Sequence, residues 1–177
     1  FIGIAGFLSI AALCICFGVL RQTRHLINQP LGYNMDGIVC VEFAAQNENI
    51  LYDELKTLSF IEKVALYQTL PTTKIMTSIT DDKGHHKRIY MLQGTKEYFD
   101  ILGIQILEDY GIATVDPEEG RYYVCNSSLS ALGPYMQDGN IRMYHPQPLC
   151  GVVSDFKLGD LKESDLGKIT LASIISE

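Results

Sequence analysis

Thr95-Lys96-Glu97-Tyr98-Phe99-Asp100-Ile101-Leu102-Gly103-Ile104-Gln105-Ile106-Leu107 holds a helix start, a helix stop and a strand start in one short run. Thr95 is of a type that caps helices, and Tyr98, Phe99 and Leu102 fall on one apolar side of the turns that follow. Gly103 fits a left-handed C-cap, where a Cβ would be costly. Residues 104–107 then read as a strand. A short helix stopped by glycine and followed at once by a strand points to a chain that interleaves both kinds of element.

The pattern repeats on either side. Residues 74–80 and 88–93 read as paired strands around the polar turn Asp81-Asp82-Lys83-Gly84-His85-His86. Upstream, residues 37–44 and 61–69 read as further strands. Between them Asn47 is placed to cap a helix carrying Leu51, Leu55 and Leu58 on one face. Downstream, residues 108–120 form an acidic loop and residues 122–125 a strand. A helical turn over 127–132 is closed by Gly133-Pro134, and strands follow at 149–153 and 169–175. Interleaved helices together with hairpins predict an α+β fold with a mixed β-sheet of six to eight strands and a few short helices.

One N-terminal transmembrane helix is expected to precede that domain. Residues 1–20 carry no charge, and Ser9 is their only plainly polar side chain. Twenty helical residues at about 1.5 Å each span roughly the 30 Å hydrocarbon core of a bilayer. A secretory signal would start with charge and end in a small-residue cleavage site, whereas this run ends in Arg21-Gln22-Thr23-Arg24-His25. Pro30-Leu31-Gly32-Tyr33-Asn34 punctuates the exit. The expected organisation is a transmembrane helix over 1–20, a membrane-exit linker over 21–36 and an extracytoplasmic α+β domain over 37–177. The missing initiator Met points to a piece of something longer.

The chain has 177 residues and a net charge of −7, with 14 Lys+Arg against 21 Asp+Glu. This excludes a basic nucleic-acid footprint, so no nucleic-acid partner is expected. Five Cys, an odd number, exclude a disulfide-dense scaffold. Cys40, Cys125 and Cys150 each sit in an apolar stretch and read as small core residues. His85-His86 beside Asp81 and Asp82 reads as an exposed hairpin tip, since adjacent ring nitrogens point different ways and further metal ligands are lacking. Asp109, Asp116, Glu118 and Glu119 lack the alternate spacing of a calcium loop. Neither a phosphate-binding glycine loop nor a nucleophile elbow occurs. These residues specify no catalytic group, cofactor or metal, and the chain is not expected to be an enzyme.

Four stretches, read in order, carry a resemblance. They are Leu31-Gly32-Tyr33-Asn34 after an apolar helix; Glu97 through Leu102-Gly103-Ile104; Tyr123-Val124-Cys125-Asn126 through Ala131-Leu132-Gly133; and Gly151-Val152-Val153-Ser154-Asp155-Phe156. Together they resemble the periplasmic core domain of MacB/FtsX-like ABC-transporter permeases, especially the compact form in large Bacteroidota permeases. Two departures stand out: Ser127 replaces the usual acid after Asn126, and Asp109-Tyr110-Gly111 replaces a glycine-arginine pair. The motif residues read as structural. Tyr98, Phe99 and Leu102 supply a buried helix side, and Gly103 its cap. Asn126 caps the next turn, Val152 and Val153 suit a covered strand, and Asp155 ends it in a turn.

The resemblance implies a non-catalytic permease subunit in the bacterial inner membrane, with residues after about 25 in the periplasm. It implies a cytoplasmic ABC ATPase subunit as partner, other permease helices and a second permease copy or repeat, a periplasmic adaptor protein, and membrane lipid. In that setting the domain couples ATPase-driven helix motion to export or mechanical work outside the membrane. A lipoprotein-releasing or cell-division variant would differ in cargo but share the fold. A different class also fits the span and the acidic domain, namely a membrane-tethered extracytoplasmic sensor or ligand-binding domain of a signalling protein. That class does not predict the order of the four stretches.

Overall fold

The computed structural model describes residues 2–27, 30–41, 48–73, 75–112, 120–158 and 169–175. The chain divides into two compact units, Phe1–Pro30 and Leu31–Glu177.

The first unit is the helix α1, Ile2–Ile27. It runs past residue 20 because Arg21, Gln22 and Arg24 are good helix formers, and Thr23 spends its hydroxyl on the Val19 carbonyl one turn back (2.9 Å). At 26 residues it is about 39 Å long. Its described side chains are those of residues 11–24, where Leu13, Ile15, Phe17, Val19 and Leu20 are all exposed. Among the described residues no helix is long and apolar enough to cross a membrane.

The second unit is α+β. Its elements are α2 (Glu48–Lys56), β1 (Ile75–Thr80), β2 (His86–Thr95), α3 (Lys96–Leu102), β3 (Ile106–Asp109), β4 (Arg121–Cys125), α4 (Leu129–Leu132), β5 (Met136–Gln137), β6 (Asn140–Ile141), β7 (Gln147–Val153) and β8 (Thr170–Ile175). Three-residue 3-10 turns flank α4 at Asn126–Ser128 and Gly133–Tyr135. The eight strands form one mixed sheet in the order β1-β2-β8-β4-β7-β6-β5, with β3 added on β7. β2 runs parallel to β8, and β4 parallel to β7, while β8 and β4 are antiparallel.

Period-two alternation sorts the core. On β4, Tyr123 and Cys125 join a cluster with α3, whereas Tyr122 and Val124 point into a second cluster on the opposite face. Ala172 and Ile174 of β8 share the α3 side, and Leu171 the other. The second face is closed by Leu132 of α4 and Ile141 of β6. The sheet curls, because the Thr80 amide at the end of β1 donates to the Arg142 carbonyl just beyond β6 (2.9 Å).

Several expectations need correction. Residues 37–41 form no strand, and Val39, Cys40 and Val41 are exposed; residues 42–44 lie outside the described set, as does Asn47. Cys40 is therefore no core residue. Its neighbours are strand-prone, but among the described residues no strand pairs with them to take up their hydrogen bonds. Residues 61–69 form only an isolated bridge, Tyr67 to Gly94. Glu62, Lys63 and Gln68 are exposed, so the segment lacks an unbroken alternation with one face to bury. The β5–β6 hairpin was not anticipated. Its turn is Asp138-Gly139 with φ of 51° and 82°, the pair of positive angles that a two-residue hairpin turn requires, and the Asp-Gly dipeptide is the signal that marks it.

Candidate functional site

Four motif segments from distant parts of the sequence meet at the start of the second unit. Gly32 adopts φ +78°, and a Cβ there would run into the Asp155 carbonyl oxygen and lie 2.7 Å from the Phe156 Cα. Only glycine allows two backbones this close. The approach is fixed by the Lys157 amide, which donates to the Leu31 carbonyl (2.9 Å). Two residues on, the Asn34 amide donates to the Leu102 carbonyl (2.9 Å), and the Asn34 side chain accepts the Asp36 amide (2.9 Å). Tyr33, Met35 and Ile38 then pack against the α3-side core. Residues 31–34 thus form a strap lashed to the end of β7 and to the end of α3.

Both anchor points are themselves braced. Gly103 closes α3 with φ +75° and ψ 16°, a left-handed cap, and the Ile104 amide returns to the Phe99 carbonyl (2.9 Å). This frees the Leu102 carbonyl for the strap. Beyond β7, the Ser154 amide donates to the Gln105 carbonyl (2.8 Å), while Ser154 Oγ accepts the Gln105 amide (3.0 Å). Asp155 Oδ1 accepts the Ser127 amide (2.7 Å), tying the strap region to the turn before α4. That bond corrects two expectations: Asn126 makes no side-chain cap on its turn, and the Asp155 carboxylate supplies the acceptor from across the fold.

Tyr98, Phe99, Leu102, Val153 and Phe156 are buried in the cluster on which the strap packs, and Val152 is buried on the opposite face of the sheet. Tyr98 lies over Gly94, where a Cβ would strike its ring; the ring stacks on Tyr67 (5.8 Å between centroids), and its hydroxyl donates to the Thr69 carbonyl (2.8 Å). Burial raises the Tyr98 phenol above its usual range. Thr95 stands at the start of α3 with no cap bond, its hydroxyl oxygen buried and unpartnered, so its expected side-chain role is not realised. Gly151 lets β7 pass the Glu108 carbonyl and the Tyr123 ring, where a Cβ would have no room. Gly133 differs: it is right-handed helical with nothing near it. Gly94 and Lys157 are parts of this arrangement that the sequence left unmarked.

The remaining candidates are scattered. Cys125 and Cys150 are buried free thiols, and all five cysteines are unpaired; burial pushes the Cys125 thiol up to about 12. At the β1–β2 tip, His85 Nδ1 meets Asp81 Oδ2 at 2.9 Å and His86 Nδ1 meets Thr80 Oγ1 at 3.0 Å, so the adjacent imidazoles turn to different partners. Among the described residues no group of three His, Cys, Asp or Glu side chains is placed to hold a metal ion. Asp109 accepts the Gly111 amide and pairs with Arg121 (2.7 Å); these two contacts, in that order, hold its carboxyl below the usual range. Asp116, Glu118 and Glu119 lie outside the described residues. An open groove of about 320 Å³ is lined by Lys56, Glu62, Lys63, Glu97 and Asp100 with Ile61 and Val64, and it holds no nucleophile beside a base.

The arrangement ties separated segments of the second unit together at residues 31–34, and these residues include no reacting pair. No protein-family model matches the chain, and no curated protein sequence matches it.

Proposed function

We propose that this chain is the extracytoplasmic domain, with its preceding membrane helix, of an ABC-transporter permease subunit. In this reading α1 is the transmembrane helix, placed in a bacterial inner membrane with the second unit in the periplasm. The subunit itself is non-catalytic. ATP is hydrolysed by a separate cytoplasmic subunit, whose motion reaches the outer domain through the helices and does export or mechanical work there. Coupling of that kind needs an outer domain that binds differently in two states and a stiff path into it.

The observation that carries the reading is the strap. The four stretches that resemble the permease family are spread over most of the chain, yet residues from all of them converge where the chain enters the domain. A sensor domain has no need to brace that point against two separate elements. The uncharged run over residues 1–20 and the exposed apolar side chains of α1 support a lipid environment for the helix.

The test is expression of the full chain with its neighbouring genes, followed by an alkaline carbonate wash of membranes and affinity purification in mild detergent. Retention in the washed membrane together with recovery of an ATP-binding subunit is expected. Release into the wash, or recovery of a signalling kinase in place of an ATPase, would overturn the proposal.

A further inference from the structure

We infer that residues 31–34 act as a two-point clamp that makes the domain's entry segment, the end of α3 and the end of β7 one cooperative unit, which opens and closes as a whole. The inference rests on the permease reading for its purpose, but its geometry stands alone. A single tether would let the entry segment pivot. Here the Leu31 carbonyl is held by Lys157, and the Asn34 amide by Leu102, with the Gly32 backbone wedged against Asp155 between them. The two bonds run in opposite senses, one accepting and one donating, and they attach to different elements. Rotation about either bond is therefore blocked by the other.

Each attachment continues into the fold. The α3 side leads through Phe99 and Leu102 into the buried cluster shared with Tyr123 and Ala172, in the middle of the sheet. The β7 side divides. One branch crosses to β3 through the paired bonds of Gln105 and Ser154, and the other reaches the turn before α4 through Asp155 and Ser127. The strap thus addresses both faces of the sheet: Phe99 belongs to the α3-side cluster and Leu132 of α4 to the opposite one. Asp155 is a positioning residue in this scheme, joining the second face to the clamp.

Native-state amide exchange on the full chain in detergent tests the clamp, across a series of sub-denaturing urea concentrations. The informative amides are Asn34, Lys157 and Ile104, with Ser127 as the side branch and Thr77 and Ile89 of the β1–β2 hairpin as references. In the wild type, Asn34 and Lys157 are expected to be protected and to open with the same urea dependence as Ile104, as one unit. G32A should speed exchange of Asn34 and Lys157 together by about tenfold or more, and by more than it speeds Thr77 and Ile89. D155A should release Ser127 and leave Asn34 protected, since Gly32 meets backbone atoms of Asp155 and Phe156 and not the Asp155 side chain. Exchange of Asn34 at the rate of an unstructured peptide in the wild type, or an opening of Lys157 that ignores G32A, would overturn the inference. The wild-type measurement decides even if G32A fails to fold. No ATPase and no bilayer enter the readout, so a failed clamp leaves the permease reading standing, and a failed permease reading leaves the clamp standing.

Discussion

The carbonyl oxygen of Asp155 occupies the place that a side chain on Gly32 would need, and the two residues stand at opposite ends of the folded unit's sequence. Strain and overlap therefore act together at Gly32. A left-handed angle costs a non-glycine residue about 1–2 kcal/mol, and forcing an extra carbon into a filled space adds about 1–3 kcal/mol. Gly32→Ala is expected to lower unfolding free energy by at least about 2 kcal/mol in urea titrations. A midpoint equal to wild type would show that the strap is not held as described.

Gly133 gives the opposite expectation, although it belongs to the same family-like pattern. Its φ and ψ of −45° and −50° are helical and its surroundings are open. Gly133→Ala should be neutral or stabilise by up to about 1 kcal/mol, because alanine restricts the unfolded chain without straining the folded one. Gly103 lies between these cases. Its φ of +75° is left-handed but nothing crowds it, so Gly103→Ala and Gly103→Val should each cost about 1–2 kcal/mol, from backbone strain alone. Thermal or urea unfolding of the variants would rank them 32, 103, 133 in order of damage.

Asp155→Ala removes the acceptor of the Ser127 amide, and the loss is expected to be about 1–2 kcal/mol; Asp155→Asn keeps an acceptor and should recover most of it. Equal losses in the two variants would argue that the carboxylate acts by its charge and not as an acceptor.

Alkaline pH should destabilise the domain through its buried thiol. Cys125 is pushed up to about 12 in the folded protein by burial, from a usual value of 9.0. Between those two values the unfolded chain has lost the proton and the folded chain keeps it. Stability then falls as pH rises, by roughly 1.4 kcal/mol per pH unit for each proton held. Tyr123, raised by burial to about 12, adds to the same slope above pH 10. Urea midpoints should be flat from neutrality up to about pH 9 and drop above it, and Cys125→Ala should flatten the first part of the drop. In thiol-labelling at neutral pH, Cys40 should react in the folded protein, whereas Cys125 and Cys150 wait for unfolding.

Ala12→Arg tests the helix. A charge at the centre of a span costs about 2.5–3.5 kcal/mol on insertion scales, so the variant should shift from the carbonate-washed membrane to the wash. Unchanged retention would remove the support for α1 as a bilayer element.

Local chemistry was legible in the sequence and contact between distant segments was not. Gly103 could be read because its neighbours fix the helix that it ends, and the β1–β2 hairpin because both strands flank one turn. Gly32 could be marked only as part of a turn, since its reason lies in Asp155. Gly94 went unremarked because the ring that fills its space belongs to Tyr98, a turn further along. Cys40 differs for a related reason: Val-Cys-Val is a strand in propensity, but a strand needs a neighbour, and among the described residues none pairs with residues 38–41. The roles of Asn126 and Asp155 changed because a carboxylate from another segment reached the amide before the local side chain did. The sheet as a mixture of hairpins and crossovers followed from the pattern, whereas its order required seeing where β8 inserts.

That insertion has a consequence for how the molecule is made. β8, the latest described strand in the sequence, lies between β2 and β4 and pairs with both. Until the ribosome has released residues 170–175, β2 and β4 lack the strand that pairs with both, and each keeps an open edge where β8 will insert. The completed sheet must wait for β8, and a chain that stalls before it should be a substrate for chaperones and proteases.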